Sequence, residues 1–221
     1  MRNIVIIGAS GYAKVIIDIL TRLNEYRIVG LIDVMEKIEL QVLGYSVLGT
    51  EEILPDLHKK FEKLEGIIAI GDNWQRSVVV KKIQGIFPNF KFATVIDPTA
   101  IISKNIVIGK GVVIMPGVIV NNATSVGDFC ILNTKSSLDH DSVMEDFSSL
   151  APGVTVGGNV KIGHHTAISL GANVIQGMNI EEHTVIGAGA VVVSSIPAKT
   201  VAYGVPARVV RSRVENEKFL K

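Results

Sequence analysis

The 221-residue sequence predicts two folds in series: an α/β domain with a parallel, Rossmann-like βαβ sheet, followed by a parallel β-helix. Three observations predict this. Strand and helix patterns alternate over the first 95 residues, an aliphatic residue recurs every six positions from Ile96 to Val192, and the composition changes between the two stretches. Residues 1–95 hold 23 of the 43 charged residues and eight of the twelve aromatics, whereas 96–200 hold 13 charges and only Phe129 and Phe147. The change falls at Phe92–Pro98 without a Ser/Gly-rich linker. The expected domains are therefore 1–95, 96–197 and a C-terminal loop and tail, 198–221.

In the first stretch, Asn3–Ile7 reads as a buried strand and Tyr12–Leu23 as a helix with Val15, Ile16, Ile19 and Leu23 on one face. Tyr26–Ile32 is a second strand. Thr50 can cap a helix running to about Leu64, Gly66–Ile70 is a third strand, and Trp74–Ile86 is a helix ended by Gly85 and Pro88. Strands alternating with helices imply a parallel sheet.

The second stretch keeps its period through seventeen consecutive aliphatic positions. A helix has no period of six, and an ordinary strand keeps alternating. Hexapeptide repetition instead marks short strands stacked coil on coil, three repeats to a coil, with residues eighteen apart in register. Such a narrow prism would place one aliphatic at each corner. It accounts for the 59 Val and Ile residues and the scarcity of large rings.

Composition excludes several classes. A net charge of +1 provides no field for a nucleic-acid backbone. No apolar run is long enough to span a membrane. Cys130 is the single cysteine, and the first residues, interrupted by Gly8 and Gly11, do not read as a signal peptide. A reduced, cytoplasmic protein is expected.

Candidate binding residues gather where strands end. Gly8-Ala-Ser-Gly11 follows a strand and opens a helix, where glycines let the backbone approach a ligand and the helix N-terminus favours an anion. Its G-x-x-G spacing differs from the dinucleotide G-x-G-x-x-G, so it suits a smaller phosphate-bearing ligand, or simply a tight turn. Asp33 ends the second strand, where an acid could accept hydrogen bonds from ribose or base. Gly71-Asp-Asn73 follows the third strand at the same sheet edge, making Asn73 and Arg76 candidates for sugar or phosphate contacts.

Of the five histidines, His58 lies in a charged helical segment and reads as solvated. His140 is the third residue of its repeat, at or beside a corner of the prism, between Asp139 and Asp141. A carboxylate beside an imidazole can fix its tautomer and stabilise the imidazolium. Eighteen residues on stands Gly158, which leaves open space beside the histidine. His165 and His183 are also eighteen apart, with His164 adjoining. They can form a turn ladder or contribute to a zinc site, but a third ligand in suitable context is not evident, so no metal is expected. Cys130 occupies an inward small-residue slot and reads as inert packing, not as a nucleophile.

Four segments carry a resemblance: Ile4-Val-Ile-Ile-Gly-Ala-Ser-Gly11, Ala69-Ile-Gly-Asp-Asn-Trp-Gln-Arg76, Leu138-Asp-His-Asp141 and Tyr203-Gly-Val-Pro-Ala-Arg208. In this order and over nearly the full length, the chain resembles the sialic acid O-acetyltransferase (NeuD) and bacillosamine N-acetyltransferase (PglD) family of hexapeptide-repeat acyltransferases. The resemblance implies a left-handed β-helix, a homotrimer with active sites at subunit interfaces, acetyl-CoA as cosubstrate and a nucleotide-linked aminosugar as acceptor. It implies that Gly8, Ser10, Gly11, Tyr12, Asp33, Gly71, Asn73 and Arg76 bind the nucleotide-sugar. His140 would be the catalytic base, assisted by Asp141; the Gly158 amide would contact the acetyl group, and Asn133 matches an active-site asparagine. Coenzyme A would run past Ser149, Gly158, Gly171, Ala188, Gly189, Pro206 and Arg208. The sequence departs from the family pattern at Tyr12-Ala13, where His-Gly is usual, at Val34, often a second acid, and at Ser149, often a second histidine. The activity implied is N-acetylation of a UDP-4-amino-sugar type of substrate for surface glycan synthesis. The rivals are O-acetylation of sialic acid or a similar free sugar, a metal-dependent enzyme like the γ-class carbonic anhydrases, and a non-catalytic scaffold.

Overall fold

The structure, a computed structural model, describes residues 1–219. It divides into two compact units, Met1–Gly71 with Gln75–Pro98, and Asp72–Trp74 with the chain from Thr99 onward.

The first unit is an α/β domain. Its strands are β1 (Arg2–Ile7), β2 (Tyr26–Ile32), the short hairpin β3 (Gln41–Val42) and β4 (Tyr45–Ser46), β5 (Glu65–Ile68) and β6 (Lys91–Phe92). The main sheet runs β2-β1-β5-β6, with every neighbouring pair parallel. β1 lies inside it, and Ile4, Val5 and Ile6 are fully buried, as an interior strand requires. Helix α1 (Gly11–Leu23) buries Ala13, Ile16, Ile17, Ile19 and Leu20, so its inward face is rotated from the expected one: Val15 and Leu23 flank it. The helix stops at Asn24, which takes the left-handed conformation that favours Asn and Gly.

The helix expected from Thr50 to Leu64 is shorter. A 3₁₀ turn, Glu51–Ile53, leads into α2 (Leu54–Lys60), because Pro55 lacks an N–H and fits only in a helix's first turn. Helix α3 spans Asn73–Ile86. The hairpin β3–β4 and strand β6 are too short to leave a periodic trace, and the sequence reading missed them.

The second unit carries the β-helix. Seventeen two-residue strands, of which the first, Val95–Ile96, ends the first unit and the last is Val191–Val192, follow at intervals of six, and the second residue of each is the periodic aliphatic. From the second coil onward strands pair in parallel with those eighteen residues away: Ile131 with Ser149, Ser149 with Ala167, Ala167 with Val185. This left-handed parallel β-helix has three faces. The first contains Ile131–Leu132 and Ser149–Leu150, the second Ser137–Leu138 and Thr155–Val156, the third Val143–Met144 and Lys161–Ile162.

One expectation is corrected here. The aliphatics do not sit at the corners; they point inward from the flat faces, and Ile114, Val120, Leu132, Leu138 and Leu150 are fully buried. The corners are turns whose last residue lies in the left-handed region, again every six residues: Ala123, Phe129, Lys135, Asp141, Phe147, Asn159, His165 and His183 at φ between 51° and 60°, with Gly111, Gly117, Gly153, Gly171, Gly177 and Gly189 between. Such a φ is costly for residues with a Cβ. Here each turn is tied to the coil before it, for example by the Asp141 N–H to Asn122 O bond at 3.1 Å and Asn159 N–H to His140 O at 2.8 Å.

The C-terminal loop and tail expected at 198–221 contain a hairpin. β24 (Thr200–Gly204) and β25 (Ala207–Ser212) pair antiparallel, and β24 extends the first face beside Val185–Ile186. Arg213 is buried and donates to the His183 carbonyl at 2.9 Å, so this part of the tail is packed. The expected tail also included Leu220 and Lys221, which lie outside the described residues. Among the described residues, no helix is long and apolar enough to cross a membrane.

Candidate active site

The corner between the second and third faces stacks Asn122, His140 and Gly158. His140 stands in the turn after Leu138, its side chain mostly exposed, and its Nδ1 lies 2.8 Å from Asp141 Oδ2. That contact favours the tautomer with the proton on Nδ1 and leaves Nε2 as the basic nitrogen. The hydrogen bond to Asp141, then the charge of Asp139, hold the imidazole's pKa above its ordinary value. The carboxylate of Asp139 accepts the Asn121 amide at 2.7 Å and the His140 backbone N–H at 2.8 Å. Those two bonds, the Asn121 one foremost, keep Asp139 below the usual carboxylate range.

Counting alone suggested that Gly158 leaves open space beside His140. The space is taken by the imidazole itself: a Cβ on Gly158 would stand 2.6 Å from both Cε1 and Nε2 of His140. Position 158 is therefore glycine because the histidine ring lies across its Cα. At some other turns the equivalent amide donates to a neighbouring side chain: Asp128 N–H to Asp146, Thr134 N–H to Asn133, His140 N–H to Asp139, His164 N–H to Glu145. The Gly158 N–H donates to no acceptor among the described residues. A donor beside a basic nitrogen is the arrangement that stabilises an oxyanion formed during acyl transfer.

The remaining β-helix candidates lie elsewhere. Asn133 follows Leu132 at the corner between the first and second faces, with its side chain on the Thr134 N–H. Gly171 and Gly189 stack on that same corner with Ala188, both at positive φ and with nothing within 4 Å of where a Cβ would be. An open backbone column of this kind suits a slender ligand. Ser149 sits on the first face, largely buried between Ile131 and Ala167, and Arg208 donates to the Ala207 carbonyl in the terminal hairpin, which also contains Pro206. One chain thus places His140, Asp141 and Gly158 at one edge of the second face, and Asn133, Gly171 and Gly189 at the other.

At the third corner the left-handed positions build a column of rings. Phe129 stacks on Phe147 at 5.1 Å, Phe147 on His165 at 5.1 Å, and His165 on His183 at 4.7 Å. His164 joins them edge-on, and one nitrogen from each of the three histidines lies within 4.8 Å of the others. His165 and His183 are parallel within 9°, so their lone pairs run side by side instead of converging on one ion. A ladder of stacked turns describes this corner. A cavity of about 480 Å³ lies beside it, between Val143 and His164, and none of the expected site residues lines it.

In the α/β unit a cavity of about 280 Å³ opens at the carboxyl edge of the sheet, lined by Gly8, Ala9, Ser10, Asp33, Lys37 and Gly71 among others. Gly8 has φ +112°, and a Cβ there would meet the Ala69 carbonyl oxygen at 2.7 Å. Asp33 faces the cavity but is engaged: it accepts the Ala9 N–H at 2.6 Å and pairs with Lys37 at 2.9 Å. Burial alone would raise its pKa, and the hydrogen bonds from Lys37, Val34 and Ala9 outweigh this and lower it. Gly11 opens α1 with free space beside it.

Four expected ligand residues, Gly11, Tyr12, Asn73 and Arg76, do not line this cavity. Arg76 is 1% exposed and its guanidinium donates to the Ile70 and Gly71 carbonyls at 3.1 and 3.0 Å. Asn73 is equally buried and donates to the His165 and Thr166 carbonyls. The Tyr12 hydroxyl is buried, and that burial raises its pKa. Lys37 was missed, although it lies four residues after Asp33; Glu51, also at the cavity and paired with Lys82 at 2.9 Å, left no signal in the sequence.

Known proteins share this architecture. A family model for the PglD N-terminal domain matches residues 3–83. The GDP-perosamine N-acetyltransferase PerB from Caulobacter crescentus, in complex with CoA and GDP-perosamine, is 34% identical with a TM-score of 0.88, covering 96% of this chain and 98% of that one. Variants of that enzyme with one histidine changed to alanine or asparagine also hold CoA and GDP-perosamine. The acetyltransferase domain of PglB from Neisseria gonorrhoeae, in complex with acetyl coenzyme A, is 29% identical with a TM-score of 0.86, covering 95% of this chain and 99% of that one. WeeI from Acinetobacter baumannii, at 24% identity and a TM-score of 0.77 over 95% of this chain and 100% of that one, shares the fold. Together with the His140 corner, these matches make the protein a hexapeptide-repeat acetyltransferase. Within that class the chain belongs to the sugar acetyltransferase family of PglD and NeuD.

Proposed function

We propose that the protein transfers the acetyl group of acetyl-CoA directly to the amino group of a nucleotide-linked deoxyaminosugar, in surface glycan synthesis. The observation that carries the reading is the corner where His140, its Nδ1 held by Asp141, lies over Gly158 and its open amide. In this mechanism the sugar nitrogen attacks the thioester carbon while His140 Nε2 removes the amine proton. The Gly158 N–H stabilises the oxyanion as it forms. The C–S bond then breaks, and the imidazolium returns the proton to the leaving thiolate. Asp141 keeps the imidazole oriented and favours its protonated form.

The glycine-bordered cavity of the α/β unit is assigned to the nucleotide, with Gly8, Ser10 and Gly71 offering close backbone approach and Lys37 the cation nearest a diphosphate. The sequence led to a UDP-linked sugar, whereas a 34% identical relative holds GDP-perosamine, so both nucleotides belong in the substrate screen. The column of Gly171 and Gly189 is assigned to the pantetheine arm. Because that column and Asn133 lie across the second face from His140, a complete site needs a second copy of the chain, which supports the homotrimer with sites between subunits.

The test is acetylation of UDP- and GDP-linked 4-amino sugars with free-thiol release as readout. His140→Ala should retain the oligomer and both ligands while losing about 10²–10⁴ in kcat, the range of a general base. A folded His140→Ala enzyme with wild-type kcat would overturn the assignment.

A further inference from the structure

Asn121 stands in the coil before His140, eighteen residues ahead of Asp139, and was not among the residues the sequence singled out. Its amide nitrogen donates to Asp139 Oδ1 at 2.7 Å, and the same oxygen accepts the backbone N–H of His140 at 2.8 Å. One carboxylate oxygen thus joins a side chain of the lower coil to the peptide that carries the imidazole. The main-chain bonds of this turn, such as Asp139 N–H to Val156 O at 3.1 Å and Asn121 N–H to Leu138 O at 3.0 Å, recur along the β-helix and would hold the turn without it. The Asn121 to Asp139 bond belongs to this corner specifically.

We infer that Asn121 is a positioning residue for the acetyl transfer, acting through Asp139 to fix the place and basicity of the His140 imidazole. The inference rests on His140 being the general base. The charged groups acting on the imidazole are Asp141 and Asp139 of its own turn. The turn below contributes Asn121 and Asn122, and the turn above Gly158 and Asn159, none of them charged. Asp141 bonds to the ring directly. Asp139 acts at a distance, so its effect depends on where its carboxylate is held, and Asn121 holds it. A carboxylate with two N–H donors stays ionised and stationary. Released from Asn121, it swings toward water, its attraction for the imidazolium is screened, and the His140 turn loses one of its ties.

The experiment compares Asn121→Ala and the near-isosteric Asn121→Leu with wild type, alone and combined with Asp139→Ala. Expected results are a kcat lower by about tenfold with KM for both substrates within about twofold, as for a group acting only on the transition state. The acid limb of kcat/KM should move to lower pH, because His140 loses part of the field that favours its charged form. A ¹⁵N-histidine titration should show the same displacement without reference to turnover. Adding Asn121→Ala to Asp139→Ala should cost nothing further, the mark of two residues acting as a unit. Wild-type kcat and acid limb in the folded Asn121 variants, or losses that add to those of Asp139→Ala, would overturn the inference. His140→Ala in the same assay separates this from the base assignment: if that variant is active, the assignment fails and the role of Asn121 fails with it. If it is inactive while the Asn121 variants behave as wild type, only the role of Asn121 fails.

Discussion

His140 and Gly158 show how two residues eighteen apart constrain each other. The ring lies where any side chain at 158 would be, so Gly158→Ala should displace the imidazole while leaving the backbone undisturbed. About a hundredfold loss in kcat with an unchanged Tm is expected, since small misplacements of a catalytic group are that costly. The pH profile follows from Asp141. It is the main reason that the imidazole's pKa is raised, so a base at His140 would be competent only above that raised value, and activity should fall as pH drops through it. Asp141→Asn should lower the pKa and shift the acid limb toward lower pH, measured as kcat/KM against pH. At this scale the sequence was informative where contacts follow from register, as with the stacking of 140 on 158. It was uninformative where burial depends on packing around an irregular loop. Arg76 and Asn73 have the chemistry of ligand residues, yet both are spent on backbone carbonyls, and no local pattern distinguishes the two uses.

The elements divide the same way. The six-residue period revealed every β-helix strand because each strand is a single repeat with its aliphatic inward. The same period did not reveal the turns' chirality, since residues as different as Ala123, Phe129 and Lys135 all take it. The terminal hairpin was misread for lack of a period, and β24 finds its place only against the finished face beside Val185. The ring ladder is an element with a testable pH response. His183 is almost fully buried, and desolvation, then the neighbouring His164, keep its pKa below the ordinary value. A histidine depressed in the fold takes up a proton on unfolding, so stability falls as pH drops below the unfolded value of about 6.5. Between about pH 7.5 and 5.5 His183 should therefore lower the wild-type Tm as pH falls, against the opposite contribution of His140, whose pKa is raised in the fold. His183→Phe, which continues the Phe129–Phe147 pattern, should flatten that slope in a calorimetric scan.

For the whole molecule, the proposed function puts the two halves of the site on opposite edges of the second face, His140 on one and the glycine column on the other. Under that proposal, assembly of copies of this chain would join one edge to the other, which gives a complementation test. His140→Ala and a variant with Gly189→Trp blocking the column should each be nearly inactive alone. Mixed, dissociated and reassembled, they should recover activity through interfaces that pair an intact edge from each. Recovery in the fraction expected for random trimers supports a site shared between subunits; none, with mixed assemblies demonstrated by mass, assigns the whole site to one chain.

The eighteen-residue register has a consequence for changes in chain length. Each coil is a full revolution, so the angle at which a residue leaves the axis depends only on the remainder after division by eighteen. Removing or adding a whole coil beneath the site would alter the molecule's height while leaving His140 on its edge. Losing six residues would carry it to a different edge, and losing one would turn the buried row of aliphatics outward. The fold therefore behaves as an indexed screw. Length can change by complete turns, while smaller insertions must be absorbed as bulges at the corners.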